Sequence, residues 1–152
     1  HTLLIITSLM LIVGCSKTID GNTLIRSTGD LMYAPGSDKP YSGEAVWYYD
    51  NGQKKYERTY KDGEEIENTY WSYYENGQKQ WKRTFKDGEK DGVWTEWYDN
   101  GQKKYERTYK DGERDGKYNY WHYNGQKKYE RTYKDGKQIE EIWWDRDGNV
   151  IE

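Results

Sequence analysis

Most of the chain alternates aromatic with charged residues, and Asn-Gly and Asp-Gly pairs interrupt this alternation at regular intervals. The phrase NGQKKYERTYKDG fills residues 51–63 and returns unchanged at 100–112 and 124–136, with a variant, NGQKQWKRTFKDG, at 76–88. Alternation is typical of a β-strand, and both dipeptides tolerate the positive φ angles of a tight hairpin turn. The pattern therefore predicts hairpins that repeat along the chain.

The turn dipeptides recur with constant spacing. Within each unit the two glycines are 11 residues apart, and successive units begin 24 or 25 residues apart. Copies at a fixed period are typical of stacked repeats. We therefore predict an all-β protein, an extended antiparallel β-meander of tandem hairpins in a single-layer sheet. The predicted structural turns are Asn51, Gly52, Asp62, Gly63, Asn76, Gly77, Asp87, Gly88, Asn100, Gly101, Asp111, Gly112, Asn124, Gly125, Asp135 and Gly136.

The positions of the turns determine which residues face each other. Two-residue type I′ turns at 100–101 and 111–112 preserve the alternation, so the paired residues share one face. The first turn predicts the pairs Trp94 with Arg107, Glu96 with Tyr105, Tyr98 with Lys103 and Gly92 with Tyr109. The second predicts Tyr109 with Arg114, Arg107 with Gly116 and Tyr105 with Tyr118. In other units the same register predicts Tyr70 with Arg83 and Tyr118 with Arg131. The more polar opposite face is predicted to hold Val93, Thr95, Trp97, Lys104, Glu106 and Thr108.

The first of these faces pairs aromatic rings with arginines. Such cation–π contacts contribute about 0.5 to 1 kcal/mol each when exposed, and a Tyr opposite Gly92 or Gly116 covers bare backbone. We expect the rows mainly to hold the sheet together, and the alternative is that the same face binds a partner. The candidate partner-binding residues are Tyr56, Arg58, Tyr60, Tyr70, Trp81, Arg83, Phe85, Trp94, Tyr105, Arg107, Tyr109, Tyr118, Tyr129, Arg131 and Tyr133.

The sequence outside the repeats differs in composition. Residues 31–34 and 44–49 flank the only two prolines and predict an opening hairpin within residues 30–50. Four tandem hairpin repeats of about 24 residues follow at 51–136. Residues 137–152 depart from the unit and predict a C-terminal cap, because a terminal repeat has one edge without a neighbour.

Residues 1–14 contain no charged side chain and end in an apolar run. The run is shorter than the roughly 20 apolar residues of a membrane-spanning helix and is typical of a secretory signal. Ile12-Val13-Gly14-Cys15 resembles the bacterial lipobox, in which the Cys is lipidated. We therefore predict a lipoprotein signal over 1–14, truncated at its start, lipidation of Cys15, a tether over 15–29 and attachment to the bacterial cell envelope. A single Cys excludes an intrachain disulfide and a CxxC metal site.

Charge and candidate chemistry favour a protein without catalysis. The net charge is −3 with both signs interspersed, which gives no electrostatic footprint for nucleic acid. His122 stands where other units have Tyr, and the carboxylates fall at turns, so we predict no catalytic residue, metal or cofactor. Asp145, Asp147 and Asn149 resemble part of a calcium loop, but a hairpin turn accounts for them better. The 26 aromatic residues argue against disorder.

Residues 92–116, GVWTEWYDNGQKKYERTYKDGERDG, resemble the bacterial variant of the MORN repeat. The resemblance extends over about residues 30–150. One departure from the family is an arginine where it commonly has Gly, at Arg58, Arg83, Arg107 and Arg131. The matching positions are Gly92, Trp94, Trp97, Tyr98, Asn100, Gly101, Tyr109, Lys110, Asp111 and Gly112.

Proteins with this unit are often identified as toxin-antitoxin system antitoxins of the YwqK family, and many resemble lipoproteins. The resemblance implies a protein that binds a toxin, and an exported lipoprotein could meet only a toxin that acts at or outside the membrane. An alternative is a surface adhesion or glycan-binding module that binds an envelope component. A third is a resemblance to choline-binding hairpin arrays, whose aromatic residues cage quaternary ammonium groups. Exposed edge strands would also permit self-association.

Overall fold

Strand follows strand through the repeats of this computed structural model, which describes residues 18–151. The predicted all-β fold is confirmed, and no α-helix occurs in that range. The strands are β1 Thr18–Asp20, β2 Ile25–Arg26, β3 Met32–Tyr33, β4 Gly43–Tyr48, β5 Lys54–Lys61, β6 Glu64–Tyr73, β7 Lys79–Lys86, β8 Glu89–Trp97, β9 Lys103–Lys110, β10 Glu113–Trp121, β11 Lys127–Lys134 and β12 Lys137–Trp143, with a 3₁₀ turn at Gly21–Thr23.

Ten of these strands form one sheet in the order β1-β4-β5-β6-β7-β8-β9-β10-β11-β12. All neighbours from β4 to β12 are antiparallel and consecutive in the chain, which gives the predicted meander, and only β1 runs parallel to β4. The described residues contain no helix with the length and apolar character needed to cross a membrane. The predicted signal segment 1–14 and Cys15 lie outside the described residues.

The Asp-Gly turns are type I′ as predicted, because both of their residues have positive φ angles. In the third unit φ is 48° at Asp111 and 83° at Gly112, and Lys110 pairs with Glu113 across the turn. The other three Asp-Gly turns repeat these angles closely. Each dipeptide therefore reverses the chain with two residues, and the strong hairpin signal of Asp-Gly is confirmed.

The Asn-Gly turns have three-residue loops, so the predicted type I′ turn is wrong there. The N–H of Tyr98 donates to the carbonyl of Gln102 at 2.8 Å, and the N–H of Gly101 donates to the carbonyl of Tyr98 at 2.9 Å. The side chain of Asn100 accepts the N–H of Gln102 at 3.0 Å, and only Gly101 has a positive φ, 83°. This is a type I turn followed by a residue in the left-handed region, and the other units repeat it.

A β-bulge restores the predicted register after the longer loop. Lys103 was predicted to pair with Tyr98 but pairs with Trp97, and Lys104 then has no partner residue in the strand pairing of β8 and β9. Every residue beyond it therefore meets its predicted partner. The confirmed pairs are Glu96 with Tyr105, Trp94 with Arg107, Gly92 with Tyr109, Tyr70 with Arg83 and Tyr118 with Arg131.

The register beyond the third Asp-Gly turn differs from the prediction. Arg114 pairs with Tyr109 as expected, but three residues of β10 then separate Arg114 from Tyr118, whereas one residue of β9 separates their partners. An insertion of two leaves the following side chains on the same face. The corrected pairs are Arg107 with Tyr118, predicted with Gly116, and Tyr105 with Tyr120, predicted with Tyr118.

The segment before the repeats is folded onto the sheet, so the tether predicted for residues 15–29 is wrong from Thr18 onward. Strand β1 pairs with β4, and the 3₁₀ turn places Gly21 so close to Trp47 that a Cβ at this position would lie 2.0 Å from the indole ring. Residues 31–34 and 44–49 do not form the predicted opening hairpin either. Strand β3 pairs with β2, and β4 pairs with β5.

The buried side chains are few, as a single layer requires. A small core lies at the N-terminal end, where Tyr41, Ala45 and Tyr60 are buried and Leu24 and Met32 pack against them. Elsewhere the buried aromatic residues are Tyr109, Tyr118 and Tyr133, all from the repeats. At the other end Trp144 forms a bridge with Val150, and Asp145 accepts the N–H groups of Asp147 and Asn149. These acidic residues therefore form a turn, as expected.

Candidate functional site: an aromatic and arginine-rich sheet face

Aromatic rings on one side of the sheet contact one another from strand to strand. Ring centroids are 6.0 Å apart between Tyr56 and Tyr70 and between Tyr70 and Phe85, and 5.1 Å apart between Phe85 and Trp94. The contact from Trp94 to Tyr109 follows at 5.0 Å. We call this side the aromatic face, and all of the predicted partner-binding residues contribute to it. It also carries Trp47, Tyr120 and Trp143, which the sequence did not indicate. Tyr98 lies there too, on the face that the register predicted for it, although it was not among the candidate binding residues.

The repeat arginines lie between these rings. Each guanidinium lies over the aromatic residue two positions before it in its own strand and over a ring of an adjacent strand. The distances from Cζ to the two ring centroids are 4.3 and 4.9 Å for Arg107, over Tyr105 and Tyr118. The others contact Tyr56 and Trp47 (Arg58), Trp81 and Trp94 (Arg83), and Tyr129 and Trp143 (Arg131). Cation–π rows are therefore present on the predicted face, but the rings differ from those that the register predicted. Arg107 lies over Tyr105 and Tyr118 in place of Trp94. Arg83 and Arg131 likewise lie over rings other than Tyr70 and Tyr118, their partners in the register.

Three of these four arginines also form an ion pair with a glutamate. Arg58 is 3.0 Å from Glu65, Arg83 is 3.5 Å from Glu96, and Arg131 forms an ion pair with Glu141. Within residues 18–151, Arg107 has no carboxylate within 4.0 Å. Its Nη2 donates to the hydroxyl of Tyr118 at 3.4 Å. Its buried Nε has no hydrogen-bond partner among the described residues.

Further cations lie over rings of the aromatic face without an ion pair in the described part of the chain. Lys90 lies 5.2 Å from the Trp94 ring centroid, and Lys104 lies 5.4 Å from that of Tyr105. Arg114 lies over Tyr118 and Tyr133. Lys55 and Lys128 occupy similar positions over Tyr56 and Tyr120. Because the glutamates of this face are already paired, the face has an excess of positive charge although the whole chain has a net charge of −3.

The charges and hydrogen bonds of the aromatic face shift the pKa values of its tyrosines. Burial alone would raise the pKa of Tyr118. Hydrogen bonds with Tyr129 and Arg107 and the positive charges of Arg107 and Arg114 together lower it by more than burial raises it, so the pKa of Tyr118 is below the usual value. Tyr105 lies beside Glu96, and burial together with a hydrogen bond to that carboxylate raises its pKa to about 12. The guanidiniums of Arg107 and Arg114 both lie over the Tyr118 ring, which brings two positive charges together at this point.

Alkaline pH is expected to unfold the sheet. Burial raises the pKa of Tyr98, Tyr105 and Tyr129 above the ordinary value of 10.0, so the folded state favours their protonated phenols. Their stabilising contribution is complete below pH 10 and is lost as the pH rises towards the folded pKa, with Tyr118 opposing the trend. The urea concentration at the unfolding midpoint should decrease as the pH is raised from about 9 to about 11.5, and the decrease should be steeper than in a Tyr105→Phe variant. A midpoint that is constant over this interval would contradict the expectation.

The opposite face has a second ladder, which the sequence argument did not anticipate. The first lysine of each Lys-rich strand lies over a Trp of the next strand, for example Lys103 over Trp121 at 5.7 Å and Lys54 over Trp71 at 5.0 Å. Three of these lysines, Lys54, Lys103 and Lys127, also form an ion pair with the glutamate three residues later, whereas the residue three positions after Lys79 is Lys82. The sequence signal was the pair of adjacent lysines, which the bulge places on different faces.

Open pockets of about 330 and 490 Å³ lie beside the Asn-Gly loops, and both are lined by residues including Gln53, Tyr73 and Gly77. The small cavity on the aromatic face has a volume of about 40 Å³ and is lined by residues including Arg83, Trp94, Tyr105 and Arg107. No group of three or more His, Cys, Asp or Glu side chains within residues 18–151 is placed to hold a metal ion. His122 occupies the backbone position of Tyr98 in its own unit, since its N–H donates to Gln126 across the loop.

These features define a β-hairpin repeat protein with a flat aromatic and cationic face. Three of its segments, residues 41–62, 90–111 and 114–135, match the MORN repeat variant family. Each match spans one strand (β4, β8 or β10), the Asn-Gly loop that follows it and the next Lys-rich strand. No curated protein and no solved structure matches the chain. MORN repeats generally take part in protein or membrane interactions.

Proposed function

We propose that this chain is a non-catalytic, lipid-anchored repeat protein of the bacterial cell envelope that binds a partner protein through its aromatic face. The observation that carries the proposal is the excess of cations that lie over the rings of this face without an ion pair in the described residues, at Lys90, Lys104, Arg107 and Arg114. Aromatic residues and arginine are enriched at the centres of protein interfaces. The matches to MORN repeats support an interaction module and leave the partner open.

Within this proposal the partner is a toxin that acts at or outside the membrane, and the protein is an antitoxin or immunity protein of the YwqK type. Lipidation at Cys15 would hold the sheet at the membrane surface, where such a toxin would arrive. A surface adhesion or glycan-binding role is the second outcome that the following experiment distinguishes.

Site-specific photocrosslinking in the producing cell tests the proposal on the full chain. Lys90 is exposed on the aromatic face, and Val93 is exposed on the opposite face only three residues away, so a photoreactive residue at each position forms a matched pair. We expect a protein crosslink from position 90 and none from position 93. The crosslinked protein is identified by mass spectrometry and then assayed for activity with and without this chain.

The outcomes separate the candidate roles. A single crosslinked enzyme whose activity is blocked in the complex would establish the antitoxin or immunity role. Crosslinks only to envelope proteins would establish a surface interaction module instead. Equal crosslinking from the two positions, or none from position 90, would contradict binding through the aromatic face.

A further inference from the structure

Three strands of the sheet have the same sequence, which allows their surroundings to be compared directly. Strands β5, β9 and β11 all read KKYERTYK, so Arg58, Arg107 and Arg131 have identical neighbours within their own strands. Any difference between these arginines arises from the adjacent strands. The three strands thus form an internal comparison within one molecule.

The strand that follows supplies a carboxylate at two of the three positions. In β6, Glu65 is the second residue after the Asp-Gly turn and pairs with Arg58 at 3.0 Å. In β12, Glu141 lies directly opposite Arg131 and forms an ion pair with it. Each of these guanidiniums therefore has an anion within the chain.

Strand β10 supplies a cation in place of the anion. The second residue after its turn is Arg114, and the residue opposite Arg107 is Tyr118. Both guanidiniums lie over the Tyr118 ring, with Cζ at 4.9 Å for Arg107 and 5.5 Å for Arg114. Neither has a carboxylate within 4.0 Å in residues 18–151, so two like charges share one site without an anion.

Most of the donors at this site are not used within the described chain. Arg107 donates to the Tyr118 hydroxyl at 3.4 Å, and Arg114 donates to the Tyr133 hydroxyl at 3.1 Å. A guanidinium carries five N–H donors in a planar fork that matches the two oxygens of a carboxylate. The hydroxyls are neutral acceptors, which leaves both positive charges uncompensated.

We propose that Arg107 and Arg114 bind a side-chain carboxylate from an acidic segment of the partner protein. The bound carboxylate takes the place that Glu65 and Glu141 occupy beside the equivalent arginines. This inference rests on the proposed function, because it assigns the charge of the partner at one point of the aromatic face. A protein segment fits this point since the flanking rings would cover the apolar parts of its side chains.

A charge reversal at Arg114 tests the inference. Arg114→Glu places a glutamate at the position equivalent to Glu65, where it should pair with Arg107 as Glu65 pairs with Arg58. The probe is fluorescently labelled poly-L-glutamate, and its binding to the full chain is followed by anisotropy. We expect the variant to bind about tenfold more weakly or worse, because a charge-assisted bidentate contact is lost. Its melting temperature should not fall.

Lys137→Glu is the matched control, because it makes the same change of charge at an exposed position of β12. Binding of poly-L-glutamate should stay within about twofold of the unaltered chain. Equal losses from both variants would contradict a defined site and indicate general charge attraction. A polymer of galacturonic acid that binds in place of poly-L-glutamate would overturn the assignment to a protein segment.

The two proposals fail separately. If position 90 crosslinks to a partner as strongly in the Arg114→Glu variant as in the unaltered chain, the carboxylate site is wrong and the proposed function stands. If no partner crosslinks to the aromatic face while poly-L-glutamate still binds at Arg107, the proposed function is wrong. Loss of both signals in Arg114→Glu, with the fold retained, is the result expected.

Discussion

Replacement of Trp94 by Ala should lower the free energy of unfolding by roughly 3 kcal/mol, because a large ring at the centre of the aromatic face is removed. Its ring centroid lies 5.1 Å from that of Phe85 and 5.0 Å from that of Tyr109. The indole N–H also donates to the carbonyl of Thr84 at 2.7 Å. Chemical unfolding followed by circular dichroism measures the loss.

Two substitutions separate the ring from its hydrogen bond. Trp94→Phe keeps an aromatic ring and loses the indole N–H, so its cost should be about 1 kcal/mol. Val93→Ala changes the neighbouring residue on the opposite face, which is 43% exposed, and should stay within about 0.5 kcal/mol. An Ala variant at position 94 as stable as the Val93 variant would show that the rings stack without contributing to stability.

The class of fold could be predicted because two independent signals agree in every unit. Alternation specifies strands, and Asp-Gly at positions such as Asp111 and Gly112 specifies two-residue reversals, so strand order follows without tertiary information. The Asn-Gly dipeptide is less specific, since Asn100 can cap a three-residue loop as well as enter a type I′ turn. The predicted length of the Asn-Gly loops was therefore wrong, whereas the predicted face of each strand was right.

The register errors have a common physical cause. Bulges add residues that the alternation does not reveal, one at Lys104 and two between Arg114 and Tyr118. An insertion of two preserves the face, so the aromatic rows survived the error. The single insertion places Lys104 on the aromatic face, where it adds to the excess of positive charge. The net charge of −3 of the whole chain gave no sign of this local excess.

The N-terminal segment could not be predicted from local sequence. Its polar residues favoured a tether, but Gly21 lacks the Cβ that would meet the Trp47 ring at 2.0 Å, so the chain can pack closely on β4. This contact joins residues that are 26 positions apart and leaves no periodic signal. The candidate site has the same limitation, because the glutamates beside Arg58 and Arg131 and the arginine beside Arg107 are recognised only from the strand pairing.

Gly112→Val is expected to destabilise the protein by about 2 kcal/mol, because a β-branched residue resists the left-handed backbone conformation. The φ angle of Gly112 is 83°. The nearest side-chain atom to an added Cβ would be that of Glu89 at 3.6 Å, an ordinary contact, so the cost is backbone strain and not a clash. Thermal unfolding followed by circular dichroism at a β-sheet wavelength measures the effect.

Gly112→Asn is the control for this strain, since Asn adopts positive φ far more readily and should cost less than half as much. Because each hairpin pairs only with its neighbours, strain at one turn weakens the link between β9 and β10 more than the rest of the array. Hydrogen exchange in the Val variant should therefore accelerate in β9 and β10 before it does in β5 and β6. Unchanged exchange in β9 and β10, together with an unchanged melting temperature, would contradict the assignment of the turn.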